Sequence, residues 1–260
     1  PAERSFFGAY ELEQELGQGG MGTVYLARDT GLNRKVALKI LRSDLSDDPA
    51  FAKKFLEEVE VTASLAHPNI IRVYTLGEQT GHLYLVMEHL DLPSLEQRMD
   101  AAGKLPEREV LEETGMIHRD IKPGNILFAR GNTPKLADFG LAAGARTALG
   151  QQDEIWGTPY YVSPERLNRE PEDIRSDIYS LGATLYHALA GRAPFEADTA
   201  EKVAQRHLMD RPPPLRSLCP EAHEQTVFTI DQCLQKKPDA RWASYTDMIS
   251  QLEDARRRLN

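Results

Sequence analysis

The prevailing hydrophobic period of this chain changes near residue 90. Up to about residue 88 the apolar residues come in short runs with the two-residue spacing of strands. Beyond Leu90 they recur about every 3.6 residues, the spacing of helices, apart from a loop-rich stretch over 118–171. A strand-period segment wound as a helix would scatter its apolar groups around the axis, so a chain with both patterns has to build a sheet and then a helical body. Runs at 10–16, 23–28, 35–41, 70–76 and 83–87 read as five antiparallel strands, punctuated by a glycine cluster, by Asp29-Thr30-Gly31 and by Gly77-Glu78-Gln79-Thr80-Gly81.

One helix interrupts the strands. Asp48-Pro49 supplies an N-cap and a first helical residue, and the run to Ala66 sets Phe51, Phe55, Val59 and Thr62 on one stripe before His67-Pro68 stops it. In the second part the clearest helix follows Ser176, with Ile178, Leu181, Leu185 and Leu189 on one face and Gly191 as its stop. Pro212-Pro213-Pro214 is a loop, and helices over about 220–235 and 244–259 follow it. Arg256-Arg257-Arg258 complements the negative end of the last helix, with a membrane-adjacent basic patch as the rarer reading. The expected class is α+β: a small sheet with one helix over 10–89 and a larger, mainly helical part over 90–260.

Size and charge narrow the function classes. At 260 residues there is room for one large domain or two lobes. A net charge of −9 disfavours nucleic acid as the main partner, because phosphate binding rests on a basic surface. Two cysteines, Cys219 and Cys233, are too few to staple the fold and suit a reducing interior. No apolar run approaches the roughly 18 residues of a membrane span, and residues 1–10 carry no signal pattern, so the chain reads as soluble and cytoplasmic, or as the cytoplasmic part of a longer, membrane-anchored protein.

The residue types that carry chemistry fall in order along the chain. Gly17, Gly19 and Gly22 stand at G-x-G-x-x-G spacing. That spacing alone is weak, and a glycine-rich hairpin is its plain alternative; a strand rather than a helix follows, which argues for a lid whose bare amides approach phosphate oxygens. Val36-Ala37-Leu38-Lys39 places a lysine in an apolar strand, where a solubilising edge lysine is the bland reading. Glu58 lies on the inward stripe of the interrupting helix, and a carboxylate there needs a partner, for which Lys39 is the candidate. His118-Arg119-Asp120-Ile121-Lys122-Pro123-Gly124-Asn125 gathers acid, base and amide in one turn-rich loop, and Asp138-Phe139-Gly140 follows thirteen residues after Asn125.

In that order these motifs resemble the eukaryotic-type, or Hanks-type, protein kinase superfamily, and within it the bacterial serine/threonine kinases, over residues 10–259. Ser163-Pro164-Glu165 stands where the family carries Ala-Pro-Glu. Lys122 and Gly157-Thr158-Pro159 look like the serine/threonine class. The resemblance implies two lobes with ATP in the cleft, a gatekeeper at Met87 and a hinge from Glu88 to Leu90. It implies that Gly17, Gly19 and Gly22 cover the phosphates, that Lys39, oriented by Glu58, holds two of them, and that Val24, Ala37 and Leu127 sandwich the adenine. Asp138 and Asn125 would hold Mg²⁺, Asp120 would accept the substrate proton and Lys122 would steady the γ-phosphate. Glu165 and Arg241 resemble the family's buried ion pair, and Asp177 the carboxylate beneath the catalytic loop. The implied partners are proteins carrying Ser or Thr, with a homodimer as a route to autophosphorylation.

The chain departs from the family pattern twice. Only eight residues, 107–114, separate Leu105-Pro106 from Gly115, where the family places a long core helix. Eight helical residues reach about 12 Å, against about 30 Å for twenty. Omitted residues, a true deletion and a gene-model error all account for it, and the junction of Leu111 and Glu112 decides among them. A catalytically impaired pseudokinase-like scaffold is the rival function this departure favours. The second departure is in the activation segment, where Thr147 is the only hydroxyl between Gly140 and Trp156, while Asp153-Glu154 lies near the place of an activating phosphate and Glu154 is a candidate substitute on Arg119.

Overall fold

A computed structural model of the chain describes residues 5–64, 67–107, 121–137 and 159–258, with the side chains of Lys54, Glu58, Val61 and Thr62 outside the description. The chain divides into two compact units, Pro1–Leu92 with Ala129–Glu154, and Pro93–Phe128 with Ile155–Asn260.

The first unit is built on a six-stranded antiparallel sheet in the order β1-β2-β3-β4-β6-β5. Its strands are β1 (Ser5–Phe7), β2 (Tyr10–Gly19), β3 (Gly22–Asp29), β4 (Arg34–Leu41), β5 (Val73–Gln79) and β6 (His82–Glu88). The five strands expected from the sequence are present, and β1 adds a sixth. It is three residues long, too short for a readable alternation, and Phe7 secures it by packing edge-on against Tyr84 at 5.4 Å. The β3–β4 turn is set by Asp29, whose Oδ1 accepts from the amides of Gly31 and Leu32. One face of the sheet buries Ala27, Val36, Leu38 and Val86.

A one-turn helix, α1 (Ser43–Ser46), and the longer α2 (Pro49–Ser64) follow β4. Asp48 caps α2 as expected, its Oδ1 accepting from the Ala50 amide at 2.9 Å, and Phe51, Phe55 and Val59 are buried. The strand expected over 70–76 begins later, at Val73. Ile70 and Ile71 are buried, but they bond to another segment: Ile71 N donates to Leu136 O and Leu136 N to Asn69 O, both at 2.9 Å. Leu136 ends β8 (Thr133–Leu136), which makes a two-stranded sheet with β7 (Ile126–Ala129).

In the second unit α3 (Leu95–Ala102) opens with a reciprocal cap between Ser94 and Gln97. After it come α4 (Pro164–Leu167), α5 (Ile174–Ala190), α6 (Ala200–Met209), α7 (Leu215–Leu218), α8 (Glu224–Cys233) and α9 (Tyr245–Arg258). The long α5 is the core element, burying Ile178, Tyr179, Leu181, Leu185 and Leu189. It starts earlier than its sequence suggested: Asp173 is the N-cap, accepting from the Arg175 amide at 2.8 Å, which leaves Ser176 inside the helix and its hydroxyl free for another task. Gly191 ends it in the left-handed conformation, as expected. Gly182 lets α8 approach closely, since a Cβ there would lie 2.4 Å from that of Cys233. Both cysteines are buried and free. Among the described residues no helix is long and apolar enough to cross a membrane.

Candidate active site

The register of the sheet gathers the first set of expected site residues. Gly17 pairs with Val24, Val24 with Lys39, and Lys39 with Leu85, forming one row across four strands. The next row of the same parity joins Leu26, Ala37 and Met87. Residues opposite each other share a face, and so do residues two apart, so Gly17, Val24, Ala37, Lys39 and Met87 lie together on the face opposite the apolar cluster of Val36 and Leu38. Lys39 is 6% exposed and Ala37 and Met87 are buried beside it.

The three glycines do different jobs. A Cβ at Gly17 or Gly19 would meet nothing within 4 Å, so the backbone there is open on one side to a ligand. At Gly22, with φ of 154°, a Cβ would sit 2.0 Å from the Ile40 carbonyl oxygen, so this glycine lets β3 lie against β4. At the end of β6, the Glu88 carboxylate is committed elsewhere: its Oε1 accepts from the Arg72 amide at 2.8 Å and from Lys135 Nζ at 2.7 Å. Its amide is committed as well, donating to Arg72 O at 2.9 Å. Leu90 is half-buried, and Asp91 just beyond it pairs with His89 at 3.4 Å and Arg130 at 3.6 Å.

In the second unit Lys122 is extended and leads into a 3-10 turn, Pro123–Asn125, closed by Asn125 N donating to Lys122 O at 3.0 Å. Asn125 is 5% exposed. Leu127 then alternates out of the core between buried Ile126 and Phe128, and the Arg98 guanidinium stacks 3.4 Å from the Phe128 ring centroid.

Glu165 and Arg241 meet as the sequence implied. Both Glu165 oxygens accept from Arg241 at 2.7 Å. The remaining Arg241 donors reach the carbonyls of Gln235, Arg175 and Lys236 at 2.7–2.9 Å, so all five N–H groups of the fork are used. Ser176 donates to Glu165 at 2.6 Å. Burial alone would raise the Glu165 carboxyl, but the hydrogen bonds from Arg241 and Ser176 outweigh it and hold the group below its ordinary range.

Residues 10–252 match the family model described as "Protein kinase domain". The chain belongs to the protein kinase family. It is 37% identical over 266 residues to the serine/threonine-protein kinase PknB of Mycobacterium leprae, covering 94% of this chain and 42% of that protein. A probable serine/threonine-protein kinase of Streptomyces coelicolor is 37% identical over 270 residues, covering 96% of this chain and 40% of that one. The crystal structure of the PknI kinase domain of Mycobacterium tuberculosis superposes with a TM-score of 0.73 at 28% identity, covering 98% of this chain and 99% of that one. The kinase chain thus spans about two fifths of the length of the curated relatives it matches. The first match runs over 266 residues yet takes up 94% of a 260-residue chain, so the relative carries positions with no counterpart here.

Several residues on which the kinase motifs rest lie outside the described residues: His118, Arg119, Asp120, Asp138, Phe139, Gly140, Thr147, Asp153, Glu154, Gly157, Thr158 and the junction of Leu111 and Glu112. The backbone of Glu58 is helical, but its side chain, and so its pairing with Lys39, is also outside the description. Among the described residues no cluster of His, Cys, Asp and Glu is arranged to hold a metal. Asp177 is 2% exposed and accepts from Tyr245, a partner its sequence position did not suggest. The kinase motifs also gave no sign of Ser176 on Glu165, nor of two tyrosine–histidine pairs: Tyr161 Oη with His187 Nδ1 at 2.7 Å and Tyr179 Oη with His207 Nδ1 at 2.9 Å.

Proposed function

We propose that the chain is the catalytic part of a bacterial protein serine/threonine kinase, transferring the γ-phosphate of ATP to Ser or Thr hydroxyls of protein substrates with Mg²⁺. The observation that carries this reading is the shared sheet face of Gly17, Val24, Ala37, Lys39 and Met87, with open backbone at Gly17 and Gly19. The names of the matched relatives support it. In this reading 10–89 and 90–260 are the two lobes of one kinase domain, working in the cytoplasm as part of a longer parent protein, and a homodimer would let one copy phosphorylate another.

Phosphoryl transfer passes through a loose transition state, so the protein's task is placement and charge neutralisation. The amides of Gly17 and Gly19 would lie over the phosphates. Lys39 would bring its ammonium to two of them from a dry strand, with Glu58 orienting it. Val24, Ala37 and Leu127 would hold the adenine, with Met87 behind it and the backbone of Glu88 and Leu90 along its polar edge. Asn125 and Asp138 offer the hard oxygen donors that Mg²⁺ prefers, and the buried Asn125 amide is fixed by its turn. When bound, that ion would neutralise phosphate charge. Asp120 would take the hydroxyl proton, and Lys122 would steady the transferred group.

A radiolabelled ATP assay with a generic basic protein substrate tests this. Asp120→Asn should lower transfer about 10²- to 10⁴-fold with ATP binding nearly intact, because general-base help acts on the chemical step. Asp138→Asn should weaken Mg·ATP binding as well. Transfer unchanged in both variants would sink the reading. The rival is a pseudokinase-like scaffold, favoured by the eight-residue interval 107–114 and by the positions present in the relative and missing here. Nucleotide binding with no transfer above the Asp138→Asn background would select it.

A further inference from the structure

The hairpin of β2 and β3 carries the three motif glycines, and its turn, Gly20-Met21, lies between the paired Gly19 and Gly22. Glycine has more conformational freedom to lose on folding than any other residue, so a glycine-rich turn keeps one shape only where something holds it. On the β3 side Gly22 lies directly against Ile40 and Leu41 of β4. The turn itself is reached by Arg42, the residue just after β4, to which the kinase motifs assign no role.

Arg42 touches the turn twice. Its amide donates to Met21 O at 3.0 Å, and its Nη1 donates to Gly20 O at 3.4 Å. The rest of the guanidinium is steered by Asp44: Nε donates to Oδ1 at 3.0 Å and Nη2 to Oδ2 at 2.7 Å. Two parallel bonds to one carboxylate fix the plane of the fork, which a single bond would leave free to swing, and they leave Nη1 as the tip that reaches the lid. Hydrogen bonds from the same guanidinium hold the Asp44 carboxyl below its ordinary range. With 42% and 50% of these side chains exposed, the pair adds little to overall stability, so geometry is what it supplies.

The backbone of Arg42 is anchored on its far side. Its carbonyl accepts from the Ser46 amide and from Ser46 Oγ, both at 3.0 Å, and Ser46 Oγ accepts in turn from the Leu83 amide at 3.0 Å. Leu83, near the start of β6, is buried, and so is Leu45, the neighbour of Ser46 in α1. A chain of hydrogen bonds therefore runs from the Gly20-Met21 turn through Arg42 and Ser46 to β6. Gly17 and Gly19, on the β2 arm, stay open on one side. The hairpin thus has a fastened tip and an open arm.

We propose that Arg42, braced by Asp44, is a positioning residue for the nucleotide phosphates: it sets the place of the Gly20-Met21 turn, and with it that of the open Gly17 and Gly19 amides relative to Lys39. The inference rests on the kinase reading, in which this hairpin covers the phosphates of ATP. Arg42 acts through the lid and not as a phosphate ligand, because a phosphate would have to displace the Asp44 carboxylate from the same two nitrogens. Adenosine, which has no phosphate, gains nothing from that placement, and the two ligands therefore separate this role from a general one in folding.

The test measures binding of Mg·ATP and of adenosine by calorimetry to the whole chain as wild type, Arg42→Ala, Asp44→Ala and Arg42→Lys. Arg42→Ala should weaken Mg·ATP about fivefold, the scale of one lost hydrogen bond, and leave adenosine within about twofold. Asp44→Ala should weaken Mg·ATP in the same sense, about threefold, because the fork loses its brace. Arg42→Lys keeps the charge but not the fork, and should recover part of the loss. Amide hydrogen exchange over 19–22 should quicken in both alanine variants while the thermal midpoint stays level. Equal weakening of Mg·ATP and adenosine, or no weakening of either, would overturn the proposal. Tighter Mg·ATP binding by Asp44→Ala would overturn it too, since that is the result if Arg42 meets a phosphate itself and the carboxylate competes. A wild type that binds neither ligand sinks the kinase reading, and the exchange measurement then still decides whether Arg42 holds the turn.

Discussion

Lys39 and Arg241 are buried to nearly the same degree, 6% and 5% exposed, in the two units of one chain. Their surroundings differ. Arg241 spends all five donors on Glu165 and three carbonyls within the second unit, and its flat fork is stacked 4.8 Å from the Tyr179 ring centroid. Lys39 stands on a sheet face in a row with Gly17, Val24 and Leu85, the face to which the open glycines belong. A guanidinium answered from within is a structural fastening; in the kinase reading proposed above, the ammonium on the sheet face is a working group. Substitution tests whether equal burial goes with those opposite roles.

Arg241→Met should cost about 3–5 kcal/mol in urea unfolding, because it strands the Glu165 carboxylate in the core. The double change Glu165→Leu with Arg241→Met should recover most of that loss, since an apolar pair of similar volume is often as stable as a buried ion pair. If the single and double variants were equally unstable, Arg241 would be acting through its carbonyl bonds instead. Lys39→Met reverses the pattern. Transfer should fall about 10²- to 10³-fold, as when one preorganised charge is taken from a transition state, while the urea midpoint stays level or rises. A large drop in stability would make Lys39 a second fastening and collapse the comparison.

Acid should affect the second unit in two stages. The His207 imidazole is held down to about 3, against about 6.5 in an unfolded chain. Its neutral burial therefore contributes fully above about pH 6.5, and stability falls by a few kcal/mol as the pH drops from there toward 3, where the unfolded state binds the proton first. The Glu165 carboxyl is depressed, so its share is present above its ordinary value of about 4.5 and is lost only as the pH falls below that. Unfolding midpoints measured from pH 7.5 to 4 should slope downward in wild type and less steeply in His207→Phe. Equal slopes would place the titrating group elsewhere. The smallest effect belongs to the helix cap: Asp173→Ala should cost about 1 kcal/mol of second-unit stability, with no change in transfer.

Much of the first unit could be read from the sequence because its signals are local. Asp48-Pro49 fixes the start of α2 within two residues, and the glycines and Lys39 stand at short, fixed spacings that set their register across β2, β3 and β4. The readings that differ from the structure share one cause. Ile70 and Ile71 look like the start of a strand, but their partner Leu136 is more than sixty residues away. The helical stripe puts the start of α5 after Ser176, yet Asp173 caps the helix and Ser176, inside it, answers a carboxylate eleven residues earlier. Tyr161 with His187 and Tyr179 with His207 are 26 and 28 residues apart, and no spacing rule links an aromatic hydroxyl to an imidazole at that range. The Glu165–Arg241 pair, 76 residues apart, was legible only through family resemblance.

The packing around Gly22 bears on how variation in this chain would sort. A side chain at 22 collides with the backbone of β4, the strand that carries Lys39, whereas Gly17 and Gly19 face open space. In a saturation library scored for both cellular abundance and phosphate transfer, substitutions at 22 would fall in the two scores together, like changes in a protein interior. Those at 17 and 19 would keep abundance while transfer declined. Three glycines that look alike in a motif would thus separate into one that determines how much protein persists and two that determine what the persisting protein does.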